Sequence, residues 1–323
     1  VSGNKTGTNF VDEISRDGLI QNYNLSVSGS QKNTRFYSSF GIFDQQGIIK
    51  LNNLEKYTGT VSVDQNFGEK LSGGININFS QINTDNVSIG NGERWEQSGI
   101  YLRALTFSPT VPVYDEMGNY SKNPRMPSHP NPVSYLDISN KTVMERFLST
   151  AYVKYNILPE LSVKGQVGFD RNQSQNYAYL PTSHIIGESF GGKAERAQNQ
   201  NTNHQLQLLI NYIKTINDKH NISSTLGSEF MKYKREGTDI TATDFPFDGV
   251  LWNNLSLGAS WPQVNSYGGS SELLSYFLRL SYDFDYRFFI NTNFRVDGSS
   301  NFSPDKQYAF FPGISLGWDL SRE

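Results

Sequence analysis

The feature that most constrains this chain is a two-residue alternation of apolar and polar side chains. In 71–80 the odd positions Leu71, Gly73, Ile75, Ile77 and Phe79 are apolar or Gly, and Ser72, Gly74, Asn76, Asn78 and Ser80 between them are small or polar. Leu161, Val163, Gly165, Val167 and Phe169 stand in the same way against Ser162, Lys164, Gln166, Gly168 and Asp170. Tyr23, Leu25, Val27 and Gly29 likewise oppose Asn22, Asn24, Ser26 and Ser28. Successive side chains of a strand point to opposite faces, so each run is a strand with one apolar and one polar side. About eleven such strands are expected, near 20–30, 35–43, 57–66, 71–81, 146–157, 161–170, 203–213, 220–230, 273–283, 287–297 and 308–320. Helical periodicity is weak throughout, with room for one short helix near Glu96–Leu105.

The connections narrow the choice of fold. Those at 31–34, 67–70, 158–160, 214–219 and 284–286 are short, and those at 44–56, 82–141, 171–202, 231–272 and 298–307 are longer. Short and long alternate without exception. Short turns at one rim and long loops at the other are the pattern of an outer-membrane barrel, and a soluble sandwich has no reason to keep it. The runs also have about the 9–11 residues that a tilted strand needs to cross hydrocarbon. No apolar stretch approaches the roughly 18 residues of a membrane helix, and the mean hydropathy of −0.52 is compatible with strands that are only half apolar. The alternation therefore predicts an all-β, antiparallel transmembrane β-barrel.

Unpaired backbone groups cost several kcal/mol each in lipid, so only a closed barrel is viable there. About eleven strands cut in mid-pattern imply missing partners, and the 323 residues are expected to be an incomplete piece of something longer. The β-poor stretches 82–141 and 231–271 are expected as long outer loops, each too poor in apolar residues for a core of its own. Apolar faces should meet lipid and Asn/Ser/Thr/Gln faces a wet lumen. Aromatics at strand ends (Tyr23, Tyr57, Phe79, Tyr155, Phe169, Tyr212, Phe230, Tyr282 and Tyr308) are candidates for interfacial girdles, or else cap a soluble core.

Composition excludes several function classes. The 21 Phe, 18 Tyr and 28 Gly suit pleated strands and turns. A net charge of −3 without any basic run argues against nucleic acid as a partner. There is no Cys, and His129, His184, His204 and His220 lack metal-ligand spacing, so neither a metal nor a cofactor is expected. His204 and His220 are placed at the starts of neighbouring strands, at opposite ends of a hairpin. Arg295-Val296-Asp297-Gly298-Ser299-Ser300 puts a hydroxyl beside a carboxylate, but it reads better as turn chemistry at a strand end, with Arg295 and Asp297 sharing a face. With no phosphate loop and no nucleophile–base arrangement, there is no case for an enzyme.

Three stretches carry a family resemblance. Thr8-Asn9-Phe10-Val11-Asp12-Glu13-Ile14-Ser15-Arg16 with Gln21-Asn22-Tyr23-Asn24-Leu25-Ser26-Val27-Ser28-Gly29 is similar to T-D-W-x-D-E-I-x-R … Q-N-Y-x-L-S-V-S-G-G of the SusC/RagA family of TonB-linked outer-membrane proteins. Phe10 replaces the usual Trp and Ser30 the second Gly. Phe40-Gly41-Ile42-Phe43-Asp44-Gln45-Gln46-Gly47-Ile48-Ile49 resembles G-Y-x-D-Q-E-G-I-I, with Gln46 for Glu. Arg295, Asp297, Gly298, Ser299, Ser300 and Phe302, then Pro312 and Trp318, resemble R-x-D-G-S-S-x-F and F-P-S-x-S-x-G-W, with Asn301 for Arg and Gly313 for Ser. Order and spacing agree along essentially the whole chain.

The resemblance implies a barrel of the plugged, 22-stranded kind, with the globular plug, the TonB box and the second half of the barrel outside these residues. It also implies TonB-energised import of a nutrient, a glycan or peptide, beneath a SusD-like surface lipoprotein in a Gram-negative outer membrane. A passive porin needs the same wall, and a soluble or adhesive sugar-binding β protein is the remaining alternative. Trp95, Tyr101, Tyr114, Tyr120, Tyr177, Tyr179, Trp252, Trp261 and Tyr267 are read as lying outside the strands. They are candidates to stack on sugar rings or peptide side chains, or to pack the loops together. The Pro-rich stretch 109–132 is expected to be a rigid, extended loop.

Overall fold

The computed structural model describes residues 7–87 and 99–322. Eleven antiparallel strands form one sheet in sequence order. They are β1 (Ile20–Gln31), β2 (Thr34–Gln46), β3 (Asn53–Phe67), β4 (Leu71–Asp85), β5 (Ser139–Leu158), β6 (Leu161–Leu180), β7 (Lys193–Ile216), β8 (His220–Thr243), β9 (Gln263–Phe284), β10 (Phe288–Ser299) and β11 (Tyr308–Trp318). The tight turns lie at one rim. Asn217 (φ 52°) with Asp218 (φ 54°), and Asp285 (φ 57°) with Tyr286 (φ 54°), take the left-handed conformation that matches hairpin twist. The other rim carries 47–52, the described parts of 86–138 (86–87 and 99–138), 181–192, 244–262 and 300–307, so short and long connections do alternate.

Register decides what each face is made of. Leu25 stands opposite Phe40, Phe40 opposite Gly59, Gly59 opposite Phe79, and Phe79 opposite Phe147. Further along, Val163, Ile210, Leu226, Leu278, Phe294 and Pro312 are joined the same way from β6 to β11. Opposite residues share a face, and a slip of one would invert it. Along this band one side of the sheet is therefore apolar and the other mainly polar. That other side forms a hollow of about 500 Å³ lined by Asn22, Asn24, Lys56 and Thr58 together with Phe43, Leu54 and Ile82, which makes it the concave face. On the convex face Leu206, Leu208 and Val167 are 56%, 50% and 52% exposed, while the intervening Gln205, Gln207 and Leu209 are half-buried. No second layer packs on this convex band among the described residues. From Phe147 to Tyr155, or Leu274 to Tyr282, the band runs about 26 Å along the strand at ~3.3 Å per residue. With the usual barrel tilt that is about 20 Å in height, close to a hydrocarbon layer.

Several strands outrun what the alternation predicts. β6 has 20 residues, β7 and β8 24 each, and β9 22. Above the apolar band the two-residue polarity pattern disappears while the ladder continues. The β-poor stretches shrink accordingly to 86–138 and 244–262. Tyr177 and Tyr179 belong to β6 and Tyr267 to β9, rather than lying outside the strands. His204 is interior to β7 rather than at its start, opposite Lys232. Phe79, Phe169 and Phe230 are likewise interior to their strands and mark the upper edge of the apolar band.

The long loop also has more of a core than its own composition suggests. Val87, Ile100, Ala104, Phe107, Val111, Val133 and Tyr135 pack together with Phe10, Ile14 and Ile49. Helix α1 (Phe10–Ile14) starts at Asn9, whose side chain accepts from the Val11 N–H, and buries the i, i+4 pair Phe10 and Ile14. Helix α2 (Ile100–Thr106) presents Ile100 and Ala104 to the same cluster, so the helix signal near Glu96–Leu105 falls on α2 in its described part. The core was not visible in the loop alone because its residues come from three separate segments.

Candidate functional site

Two regions carry polar chemistry: the concave wall and the rim of long connections. Along the wall, Arg146 on β5 and Asp170 on β6 form a two-pronged pair, Nε–Oδ1 3.0 Å and Nη2–Oδ2 2.8 Å. The Tyr152 hydroxyl donates to Asp64 Oδ1 at 2.6 Å. Arg295 on β10 donates through Nε to Asp297 Oδ1 at 2.7 Å and through Nη2 to Ser275 Oγ at 2.9 Å, and it stands 3.5 Å from Glu229 Oε2. Its guanidinium lies over the Phe277 ring at 5.6 Å, and Glu229 accepts in turn from Gln205. Between these charges the wall is Asn, Ser and Thr, as in Thr60–Asn78 and Thr225–Asn211. Such a surface keeps water and offers donors and acceptors of either kind to a polar solute.

The remaining motif residues shape the wall. Gly298 lies under the Tyr308 ring, where a Cβ would come within 2.4 Å of a ring carbon. Ser300 accepts from the Glu272 N–H at 2.8 Å, and Ser299 from the Asn301 N–H at 3.3 Å, which closes the β9–β10 rim. Pro312 pairs with Phe294, Trp318 stacks on Phe288 at 6.1 Å, and Phe302 is exposed in the 300–307 connection. The first two motif stretches meet in space. Arg16 Nε donates to the Gly47 carbonyl at 3.1 Å, and Ile14 and Ile49 share the rim core.

The structure divides the aromatic candidates between the two faces. Tyr267 is concave: its ring covers Gly237 and its hydroxyl donates to Asn199 Oδ1 at 2.8 Å. Tyr233 does the same to Asn201 at 2.9 Å, a residue that sequence reasoning missed because no alternation marks the upper part of β8. Tyr177 and Tyr179 fall on the convex side, in register with Lys141 and Ser139 of β5. Tyr177 lies 5.9 Å from Trp252, with Arg196 over its ring at 5.2 Å. Tyr179 is 1% exposed in a small core with Ala194, Ala242 and Phe245. Its hydroxyl donates to Asp248, which also accepts from Thr182. Burial favours the neutral acid at Asp248, but these hydrogen bonds outweigh it and hold the carboxyl below its usual range.

Tyr114 and Tyr120 stack at 5.2 Å. Burial, then Asp137 and Tyr114, push the Tyr120 hydroxyl above its ordinary range. Tyr101 is partly exposed on α2, and Trp261 is 97% exposed just before β9. Trp95 lies outside the described residues. Of these aromatics, Tyr114 and Tyr120 stack on each other and Tyr177 and Trp252 lie side by side, while Tyr267 and Trp261 join neither pair. No group of three or more acidic or histidine side chains fit to hold a metal occurs among the described residues.

No family model matches the chain. It is 30% identical over 321 residues to TonB-dependent receptor P3 of Formosa agariphila, covering 98% of this chain and 32% of that protein. TonB-dependent receptor SusC of Bacteroides thetaiotaomicron is 25% identical over 346 residues, again 98% of this chain and 32% of the relative. A solved structure of the RagAB peptide transporter superposes with a TM-score of 0.82 at 20% identity, over 98% of this chain and 36% of that chain. The siderophore receptor PiuA from Acinetobacter baumannii follows at 0.54 and 10%, over 94% of this chain and 46% of that one. The chain thus spans about a third of the length of the curated relatives it matches. Along nearly all of its length it is homologous to TonB-dependent receptors, SusC among them, and its fold matches their barrel structures. These relatives are receptors and transporters, not enzymes.

Proposed function

We propose that this homologue of TonB-dependent receptors forms part of the barrel wall of an outer-membrane importer that takes up a glycan or oligopeptide. The observation that carries the proposal is the two-faced sheet. A convex apolar band about 20 Å high and a mainly polar concave wall run through the eleven described strands. Further strands close the barrel, because among the described residues β1 and β11 each have one unpaired edge. In this proposal 86–138 and 244–262 are extracellular, the plug and TonB box belong to the rest of the protein, and a SusD-like lipoprotein covers the rim.

Within that wall, Tyr267 on the concave face and Tyr114, Tyr120 and Trp261 on the rim are the proposed cargo or lid contacts. A bulky polar cargo suits the wall, which offers the fixed ion pairs Arg146–Asp170 and Arg295–Asp297 among its amides and hydroxyls. The peptide alternative is supported by the peptide transporter among the structural neighbours, and the glycan alternative rests on what the resemblance of the motif stretches implies.

Uptake by cells expressing the full-length protein tests the proposal. Growth on a polysaccharide or protein digest should require both the protein and the energy-coupling TonB system. Uptake that persists without TonB would show a passive pore instead. Ready extraction without detergent would remove the barrel altogether.

A further inference from the structure

The convex face does not become featureless above the apolar band. On β5–β8 it carries Lys141, Arg171, Arg196, Lys232 and Lys234 against Glu145 and Glu236, in a chain whose net charge is −3. Lys232 is paired with Glu272 at 2.8 Å and Lys234 with Glu236 at 2.7 Å. Arg171 instead donates to two neutral amides, Gln173 Oε1 at 3.0 Å and Gln200 Oε1 at 2.7 Å. Arg196 lies on the Tyr177 ring, and Lys141 stands between Asp85 and Tyr177 in the ladder with no salt bridge among the described residues. Three exposed cations thus keep their charge on a surface continuous with the apolar band.

Their heights differ. Arg171 is two residues above Phe169, where the apolar band ends on β6, or about 7 Å along the strand. Tyr177 and Arg196 are a further ~20 Å up. There a cleft of about 240 Å³ has Tyr177, Ile240 and Leu255 as its apolar part and Gln175, Gln198 and Thr238 as its amides and hydroxyl. Flat aromatic surface beside planar amides and a guanidinium is chemistry that holds a sugar ring. A cation just above hydrocarbon is chemistry that holds a phosphate.

We propose that this convex face binds a phosphorylated glycolipid of the outer leaflet, with Arg171 at the phosphate and the Tyr177–Arg196 cleft at the saccharide. The site rests on the barrel reading, since only a lipid-facing convex band brings such a headgroup to it. Trp252 then serves the wall rather than the cargo, by holding the Tyr177 ring in place.

Native mass spectrometry of the full-length protein, released from detergent after incubation with lipopolysaccharide, lipid A or phosphatidylglycerol, tests this. The wild type should retain lipopolysaccharide at least tenfold better than phosphatidylglycerol. Tyr177→Ala with Arg196→Ala should lose that preference at least tenfold while keeping lipid A, and Arg171→Glu should weaken both glycolipids. Heat-modifiable migration of each preparation reports the barrel separately. If the double variant loses that migration, the exposed Arg196→Glu carries the comparison. A folded barrel that holds lipopolysaccharide no better than phosphatidylglycerol, or whose retention ignores the cleft substitutions, overturns the site and leaves the barrel standing. A stable dimer joined through this face that glycolipid does not displace overturns it too.

Discussion

Arg295 is held on the concave wall by Asp297, Ser275, Glu229 and the ring of Phe277 together. Glu229 is the least exposed of the charges, at 12%, and it has most to lose. Arg295→Ala should lower barrel stability by about 1–2 kcal/mol, the cost of an unsatisfied group moderated by lumen water. Arg295→Lys should fall between, because it restores the charge without the fork. The temperature at which heat-modifiable migration is lost measures both. The i, i+2 pairing of Arg295 with Asp297 was legible in the sequence. Glu229 and Ser275 join them only through register, which no local pattern encodes.

His184 is the other residue with a defined consequence. Its ring is 1% exposed, edge-on to Tyr135 at 4.8 Å, and its Nδ1 accepts from the Ile186 N–H. Burial pushes its pKa down to about 4, with Asp137 pulling the other way. The folded loop thus refuses a proton that the unfolded chain accepts near 6.5. Docking of 181–192 should be strongest above about pH 6.5, weaken as pH falls toward about 4, and level off below, an effect of about 3 kcal/mol. Hydrogen exchange across 184–191 should show protection falling about a hundredfold over that range, and His184→Gln should flatten the profile.

At the level of the strand, Leu208 and Leu209 make a controlled pair on β7. Leu208 faces outward, opposite Gly165 and Ser228, and Leu209 faces the hollow, opposite Lys164 and Gly227. Leu208→Gln puts an amide into the apolar band and should cost about 1–3 kcal/mol. Leu209→Gln meets water and should stay within about 0.5 kcal/mol of the wild type. Denaturant titration of the refolded barrel in detergent separates them, and equal effects would contradict the assignment of faces. That same contrast is why the strands were legible where they were. Lipid on one side and water on the other writes a two-residue period into the sequence. Higher up, Arg171-Asn172-Gln173-Ser174-Gln175-Asn176 is polar on both faces yet continues β6 in register with β7, so the strand ends and the positions of Tyr177 and Tyr267 could not be read.

At the level of the whole chain, eleven consecutive strands and strict turn parity were both legible, because each is a sum of local signals. The rim core was not, because Phe10 and Ile14, Ile49, Val87 and 100–135 meet only once the sheet has brought their connections to one rim. What the assembled sheet adds is an open seam. Among the described residues β1 pairs only with β2 and β11 only with β10, and every residue of β11 is exposed. In hydrocarbon each unpaired backbone group along those edges costs several kcal/mol, more than the apolar band of one strand can offset. The 323 residues refolded by themselves in detergent should therefore show no heat-modifiable migration and should aggregate through β1 and β11, as exposed edges do. The full-length protein should migrate as a compact species that shifts on boiling. Heat-modifiable migration of the short chain would mean that β1 and β11 find each other, and the wall would then be a complete, narrower barrel rather than part of a wide one.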